Sequence, residues 1–162
     1  MDQGFGYDKP AQTPCINLQP DFRCSIHGRL AESGFPGCVA FDCYGAGQWV
    51  TQQVFQGASW RDSVLTGKRM FEAFSRFRTL HELMALLVVA RQHVKEKDIL
   101  EKLDRKLKEI EKITIAETAD CGRIEITTLR QEIMGFLREH VSLSKIAGKT
   151  GETGALNGNR RL

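Results

Sequence analysis

MFEAFSRFRTLHELMALLVVA, residues 70–90, decides the fold class. Met70, Phe71, Phe74, Phe77, Leu80, His81, Met84, Leu87 and Val88 recur at steps of three and four, the spacing that places side chains on one face of an α-helix. The apolar pattern becomes recognisable near Ser59, although Gly67 argues for a start later than that. The longest unbroken apolar run, Leu83 to Ala90, is far shorter than the ~20 residues a membrane-crossing helix needs.

Two further helices are expected downstream. From Asp98 to about Ile113 the chain sets Ile99, Leu100, Leu103, Leu107 and Ile110 inward and Glu and Lys outward, with Glu101 and Arg105 forming an acidic-before-basic pair one turn apart. A break follows around Ala116–Gly122. Ile126, Leu129, Ile133, Phe136, Leu137 and Val141 then mark a third amphipathic helix, with Thr127 or Thr128 as its expected cap. Short connections favour antiparallel neighbours, so residues 59–144 read as a bundle of about three helices. The Gly-rich polar stretch 145–162 reads as a flexible tail.

Upstream the texture changes. Residues 1–58 are rich in Gly, Pro, Cys, Gln and aromatics and show no sustained helical period. Turn signals stand at Gly34, Pro36–Gly37 and Gly45–Ala46–Gly47. Short extended pieces are expected at Cys38–Phe41 and Trp49–Phe55, where large and small side chains alternate. The fold class is therefore mainly α, with an irregular cysteine-rich N-terminal segment packed on the helical bundle. So few aliphatic residues in that segment call for another staple.

The composition narrows the classes of function. Apolar residues at 41% and charged residues at 27% match an ordinary folded chain rather than a disordered one. A formal charge of +3, with Lys and Arg interleaved among Asp and Glu over 95–112, is less than a dedicated nucleic-acid binder usually carries. MDQGFGYDKP has neither the basic start nor the apolar core of a secretory signal, so a cytoplasmic location is expected. In a reducing compartment, five clustered or odd cysteines point to metal or redox chemistry before disulfides.

Chemistry concentrates in CINLQPDFRCSIHGRLAESGFPGCVAFDC, residues 15–43. Cys15 and Cys24 precede His27, and Cys38 and Cys43 follow. Thiolate sulfur and imidazole nitrogen are preferred zinc ligands, and thiolates also hold iron–sulfur clusters. The bend at Gly34–Gly37 lets the Cys38–Cys43 pair approach from the opposite side, giving five candidates for four places. Zinc is expected in preference to an iron–sulfur cluster. Buried thiols serving as small hydrophobes, and a redox switch activated by Arg23 or Arg29, are the competing readings. Cys121 stands apart, as a core or loop residue.

The same stretch carries a likeness. C-x-N-L at Cys15, D-F-R-C-x-I-H-x-x-L at Asp21, G-F-x-G-C-x-x-F-D-C-Y-G-A-G-Q at Gly34, S-W-R at Ser59, M-F-x-x-F at Met70 and L-H-E-L at Leu80 together resemble the N-terminal cysteine-rich region of bacterial pentapeptide-repeat proteins. The cysteine pattern is also similar to the second half of a zinc- or iron-chelating domain family, with its C-x-I-H step and closing C-x4-C. The likeness spans about residues 12–92 and implies Cys15, Cys24, Cys38 and Cys43 as metal ligands, with His27 as a substitute. Two departures accompany it: the further cysteine group and the repeats themselves are absent, leaving Ala155–Gly158 as at most the stub of a repeat. It implies a truncated or divergent member.

Other motifs lead nowhere catalytic. Gly45–Ala46–Gly47 lacks the third glycine of a dinucleotide loop and reads as a tight turn. His81–Glu82 begins like a zinc-protease helix, but Ala85 stands where the second His belongs, so His81 is expected to pack or cap. Trp49, Phe55 and Trp60 are expected to seal the cysteine-rich segment rather than form a recognition surface. The leading expectation is a metal-binding interaction or scaffold module with a protein partner and no membrane association. The alternatives are a metal-dependent or thiol-redox enzyme, using Asp42 or Glu32 as a base, and a nucleic-acid-binding zinc module using Arg23, Arg29, Arg61 and Lys68.

Overall fold

The 70–90 stripe sits in helix α3, Val64–His93. The α3 helix starts at Ser63, whose side chain accepts from the Thr66 N–H at 3.0 Å and satisfies one of the orphan donors of the first turn. The start is earlier than Gly67 suggested, because the glycine is needed for packing. A Cβ there would stand 2.8 Å from the Trp60 carbonyl oxygen, so only Gly lets the approaching chain lie against the first turns. The computed structural model of the chain describes residues 4, 6–10 and 13–141. The expected tail at 145–162, with the stub at Ala155–Gly158, lies outside the described residues.

Met70, Ala73, Phe77, Leu80, Leu83 and Leu87 are buried on α3. Each of the larger of these, Met70, Phe77, Leu80, Leu83 and Leu87, contributes ~1.5–3 kcal/mol by leaving water. Helix α4, Lys97–Ala119, buries Leu103 and Ile110 and extends past the expected end near Ile113, because Thr114 and Glu117 continue its buried face. Helix α5, Ile126–His140, buries Ile126, Leu129, Ile133 and Leu137. Its start is held by the Glu125 carboxylate, which accepts from the Thr127 N–H at 3.2 Å, in place of a threonine cap. Arg76 pairs with Glu117 and Arg91 with Asp104, at 2.9 and 2.7 Å, so residue numbers rise along α3 as they fall along α4. The two helices are antiparallel, as the three-residue link 94–96 requires. The protein is mainly α, with a packed bundle of α3, α4 and α5.

The chain divides into two compact units, Met1–Asp42 and Cys43–Leu162. In the second, Trp49–Phe55 is not extended. Helix α2, Ala46–Trp49, runs into a π-helical turn, Val50–Val54. Ala46 and Val50, one helical turn apart, are both buried in the core with Phe77 and Leu80, and that spacing overrides a short alternation. Trp49 and Phe55 pack against the same core, and Trp60 lies 5.8 Å from Phe71, so all three pack within this unit.

The first unit is built from turns. A small hairpin pairs Leu18 with Cys24, with the Gln19 N–H donating to the Arg23 oxygen at 2.8 Å and the Ser25 N–H to the Asn17 oxygen at 2.9 Å. Phe22 takes a left-handed φ of 65° at its tip. His27–Arg29 form one 3₁₀ turn, and helix α1 spans Pro36–Ala40. Cys38–Ala40 are therefore helical rather than extended, since Pro36 presets the helical φ at the first turn; Phe41 alone is extended. Among the described residues of this unit only Phe35 is buried.

Candidate metal centre

The hairpin and α1 carry the thiols. Cys15 precedes the hairpin, Cys24 closes it and Cys38 lies in α1, and all three are half-buried and free of disulfides. The Cys15 sulfur accepts from the Asn17 N–H at 3.4 Å. Burial pushes the Cys38 thiol above its ordinary value, the neighbouring Cys15 and Cys24 push it further, and Lys9 opposes them. Cys38 thus feels the charges of both Cys15 and Cys24.

Tyr7 borders the same place. Its hydroxyl accepts from the Ile16 N–H at 3.2 Å and bonds the Cys15 thiol. The Ile16 amide favours ionisation, but burial and the charges of Cys15 and Cys38 leave the phenol raised overall. Neither Tyr7 nor Lys9 carries a signal in the sequence; the fold sets Tyr7 against Ile16 and Lys9 against the Thr13 carbonyl.

His27 is exposed on its 3₁₀ turn, its N–H donating to the Cys24 carbonyl at 3.3 Å. Cys43 is half-buried and opens the second unit, where its carbonyl accepts from the Ala46 N–H at 2.9 Å. Among the described residues, no three side chains of His, Cys, Asp or Glu converge in a metal-holding geometry. Cys121 is exposed in the loop after α4. Glu32 is exposed and Asp42 half-buried. Of the four basic residues considered for nucleic acid, Arg23 and Arg29 fall in the first unit, Arg61 and Lys68 in the second.

The chain is 37% identical over 133 residues to the uncharacterised protein YybG of Bacillus subtilis (strain 168). The match covers 82% of this chain and 48% of that protein, so the chain spans about half the length of the curated relative it matches. No family model matches the chain. No solved structure matches it.

In the second unit His81 packs, as expected. Its Nδ1 lies 2.9 Å from the Tyr44 carbonyl, which can only accept, so Nδ1 carries the proton. The ring meets Trp49 and Phe77 edge-on. Burial lowers its tendency to charge, against the Tyr44 bond that supports it. Tyr44 and Gly45 both take left-handed φ, 52° and 79°, so the tight turn lies at Tyr44–Gly45, one residue earlier than expected, and Ala46 and Gly47 already belong to α2.

The charged centre that the sequence reading missed is Glu117, fully buried. Its carboxylate accepts from Arg76 Nε at 2.9 Å, from the Gly122 N–H at 3.0 Å and from the Ile124 N–H at 2.9 Å. Arg76 also donates to the Ile124 carbonyl at 2.6 Å. Burial pushes the Glu117 carboxyl up, but Arg76 and the two amides outweigh it and hold it below the usual carboxylate value. A signal existed: Ile110, Thr114 and Glu117 lie on one helical face, and an inward Glu demands a cation.

Proposed function

We propose that Met1–Asp42 is a metal-binding module, taking zinc in preference to an iron–sulfur cluster, and that it acts as an interaction or scaffold element for a protein partner. Carrying the reading is one observation: the half-buried free cysteines Cys15, Cys24 and Cys38 all lie in a unit whose sole buried described residue is Phe35. A unit so poor in core needs a staple, and structural zinc can supply an apparent ~10–16 kcal/mol. Three half-buried thiols, one already met by an amide, suit zinc chemically, and His27 is the candidate within the same unit for a fourth position.

The likeness to the cysteine-rich region of pentapeptide-repeat proteins and to chelating domains supports the same residues. A thiol-redox enzyme is less well supported, since such a thiol needs a depressed pKa and the Cys38 and Cys121 thiols are both pushed up, first by burial. Free thiols at this density fit a reducing, cytoplasmic setting. Among the described residues no helix is long and apolar enough to cross a membrane.

Elemental mass spectrometry on anaerobically purified protein, paired with an optical spectrum, tests the reading. About one zinc per chain in colourless protein is expected. Brown protein with iron and labile sulfide would replace zinc by a cluster, and metal-free protein would overturn the module.

A further inference from the structure

On α4, Lys102, Arg105, Lys106 and Glu109 follow the i, i+3, i+4, i+7 spacing that aligns side chains on one face. With Phe136 and His140 of α5 they line a groove of 430 Å³. The Glu101–Arg105 pair anticipated from the sequence does not form. None of the three cations makes an ion pair among the described residues, although Arg91, Arg123 and Arg130 in the same unit each find a carboxylate. Lys106 Nζ stands 5.1 Å from the centre of the Phe136 ring, and His140 meets that ring at 4.7 Å. The groove therefore has an aromatic floor, a cationic wall spanning little more than one turn, and a single carboxylate at the C-terminal end of the stripe.

From this arrangement we infer that the α4–α5 groove binds a phosphorylated, hydroxyl-bearing small molecule of the sugar-phosphate or nucleotide class. Three unpaired cations within one turn match a compact dianion. Glu109, which would repel a second anionic group, is suited to accept from hydroxyls beside the phosphate, and Phe136 offers an apolar surface to the ligand's ring. The groove's size lies in the range of small-molecule sites. A nucleic-acid strand needs a longer run of phosphate contacts than a stripe interrupted by Glu109 offers. The inference does not depend on the metal reading, because all six residues lie in the second unit.

Calorimetric titration of the full chain with adenosine 5′-monophosphate, glucose 6-phosphate and inorganic phosphate tests it. Saturable binding of at least one ester is expected, tighter than inorganic phosphate. Arg105→Ala and the double variant Lys102→Ala/Lys106→Ala should each weaken it about tenfold or more, a loss of ~1.4 kcal/mol. Glu109→Gln should weaken the ester while leaving inorganic phosphate unchanged. Lys108→Ala, on the same helix outside the groove, should change nothing. The inference fails if neither ester saturates at millimolar concentration or if Lys108→Ala costs as much as Arg105→Ala. Binding only to phosphatidylglycerol vesicles, or only to an oligonucleotide, would also overturn it, in favour of a lipid surface or a strand. All four variants alter exposed or half-buried side chains, and an unchanged helical circular dichroism signal confirms that they fold.

Discussion

Met1–Asp42 and Cys43–Leu162 solve the problem of staying folded in different ways. The second unit buries an apolar cluster running from Ala46 through Phe77 and Leu103 to Val141. The first buries Phe35 and leaves Ile16, Phe22, Val39 and Phe41 half or more exposed, while carrying three half-buried free cysteines. Hydrophobic burial is general and tolerant, since any side chain of suitable size and period contributes to it. Ligand-based stapling is specific: it depends on a few atoms and on conditions outside the chain.

The largest effect should follow from removing the staple. Cys24→Ser with Cys38→Ser, or treatment with a strong chelator, should erase amide-exchange protection across residues 13–42 while leaving helical circular dichroism nearly intact. The loss approaches the ~10–16 kcal/mol of a structural zinc. Retention of protection in the double variant would show that the first unit is held by something other than its cysteines.

The complementary change is Phe77→Ala, at a side chain with no exposure in the centre of α3. It should cost ~3–5 kcal/mol by chemical denaturation and move only the helical transition. A matching loss of protection in residues 13–42 would mean that the two regions do not fold independently.

Glu117→Ala is of the same order, ~3–5 kcal/mol, because it strands a partly buried Arg76. Its signature is acid sensitivity. The carboxyl is held below its unfolded value near ~4.3, so its contribution is complete above that value and is lost as pH falls through the lower folded value. The parent should therefore lose helical stability steeply in that acidic range, and the variant should lose less. Identical acid limbs would remove Glu117 from the account. Smallest is Ser63→Ala, ~1 kcal/mol from the loss of the α3 cap, measured by thermal melting.

The helical half was legible because its period repeats over many residues: the 126–141 stripe names its buried face but for the half-buried Phe136, whereas the 70–90 stripe names Met70, Phe77, Leu80 and Leu87 and misses the buried Ala73, Leu83, Val89 and Ala90. Where the reading failed, two local signals competed. Trp49–Phe55 alternates like a strand, yet Ala46 and Val50 share a helical face, and contact with Phe77 decided the matter. At Cys38–Phe41 the helix-starting role of Pro36 outweighed the β-branched Val39. In α4, Arg105 was assigned a partner on its own helix but faces a groove that exists only once α5 is in place. The candidate ligands were legible by type and spacing alone. Tyr7 and Lys9 enter their surroundings through contacts with Ile16 and Thr13 that no pattern in the sequence marks.

The loop between α4 and α5 exposes Asp120, Cys121, Gly122 and Arg123, the kind of segment where a protease ordinarily makes its first cut. Arg123 offers trypsin a site, but cleavage requires the backbone to leave its place and lie extended in the enzyme's cleft. Gly122 and Ile124, the residues on either side, are both tethered to the one carboxylate of Glu117. The lifetime of this protein against proteolysis is thus tied to how often a single buried acid lets go of two amides, and the same acidity that protonates it would open the chain to cutting.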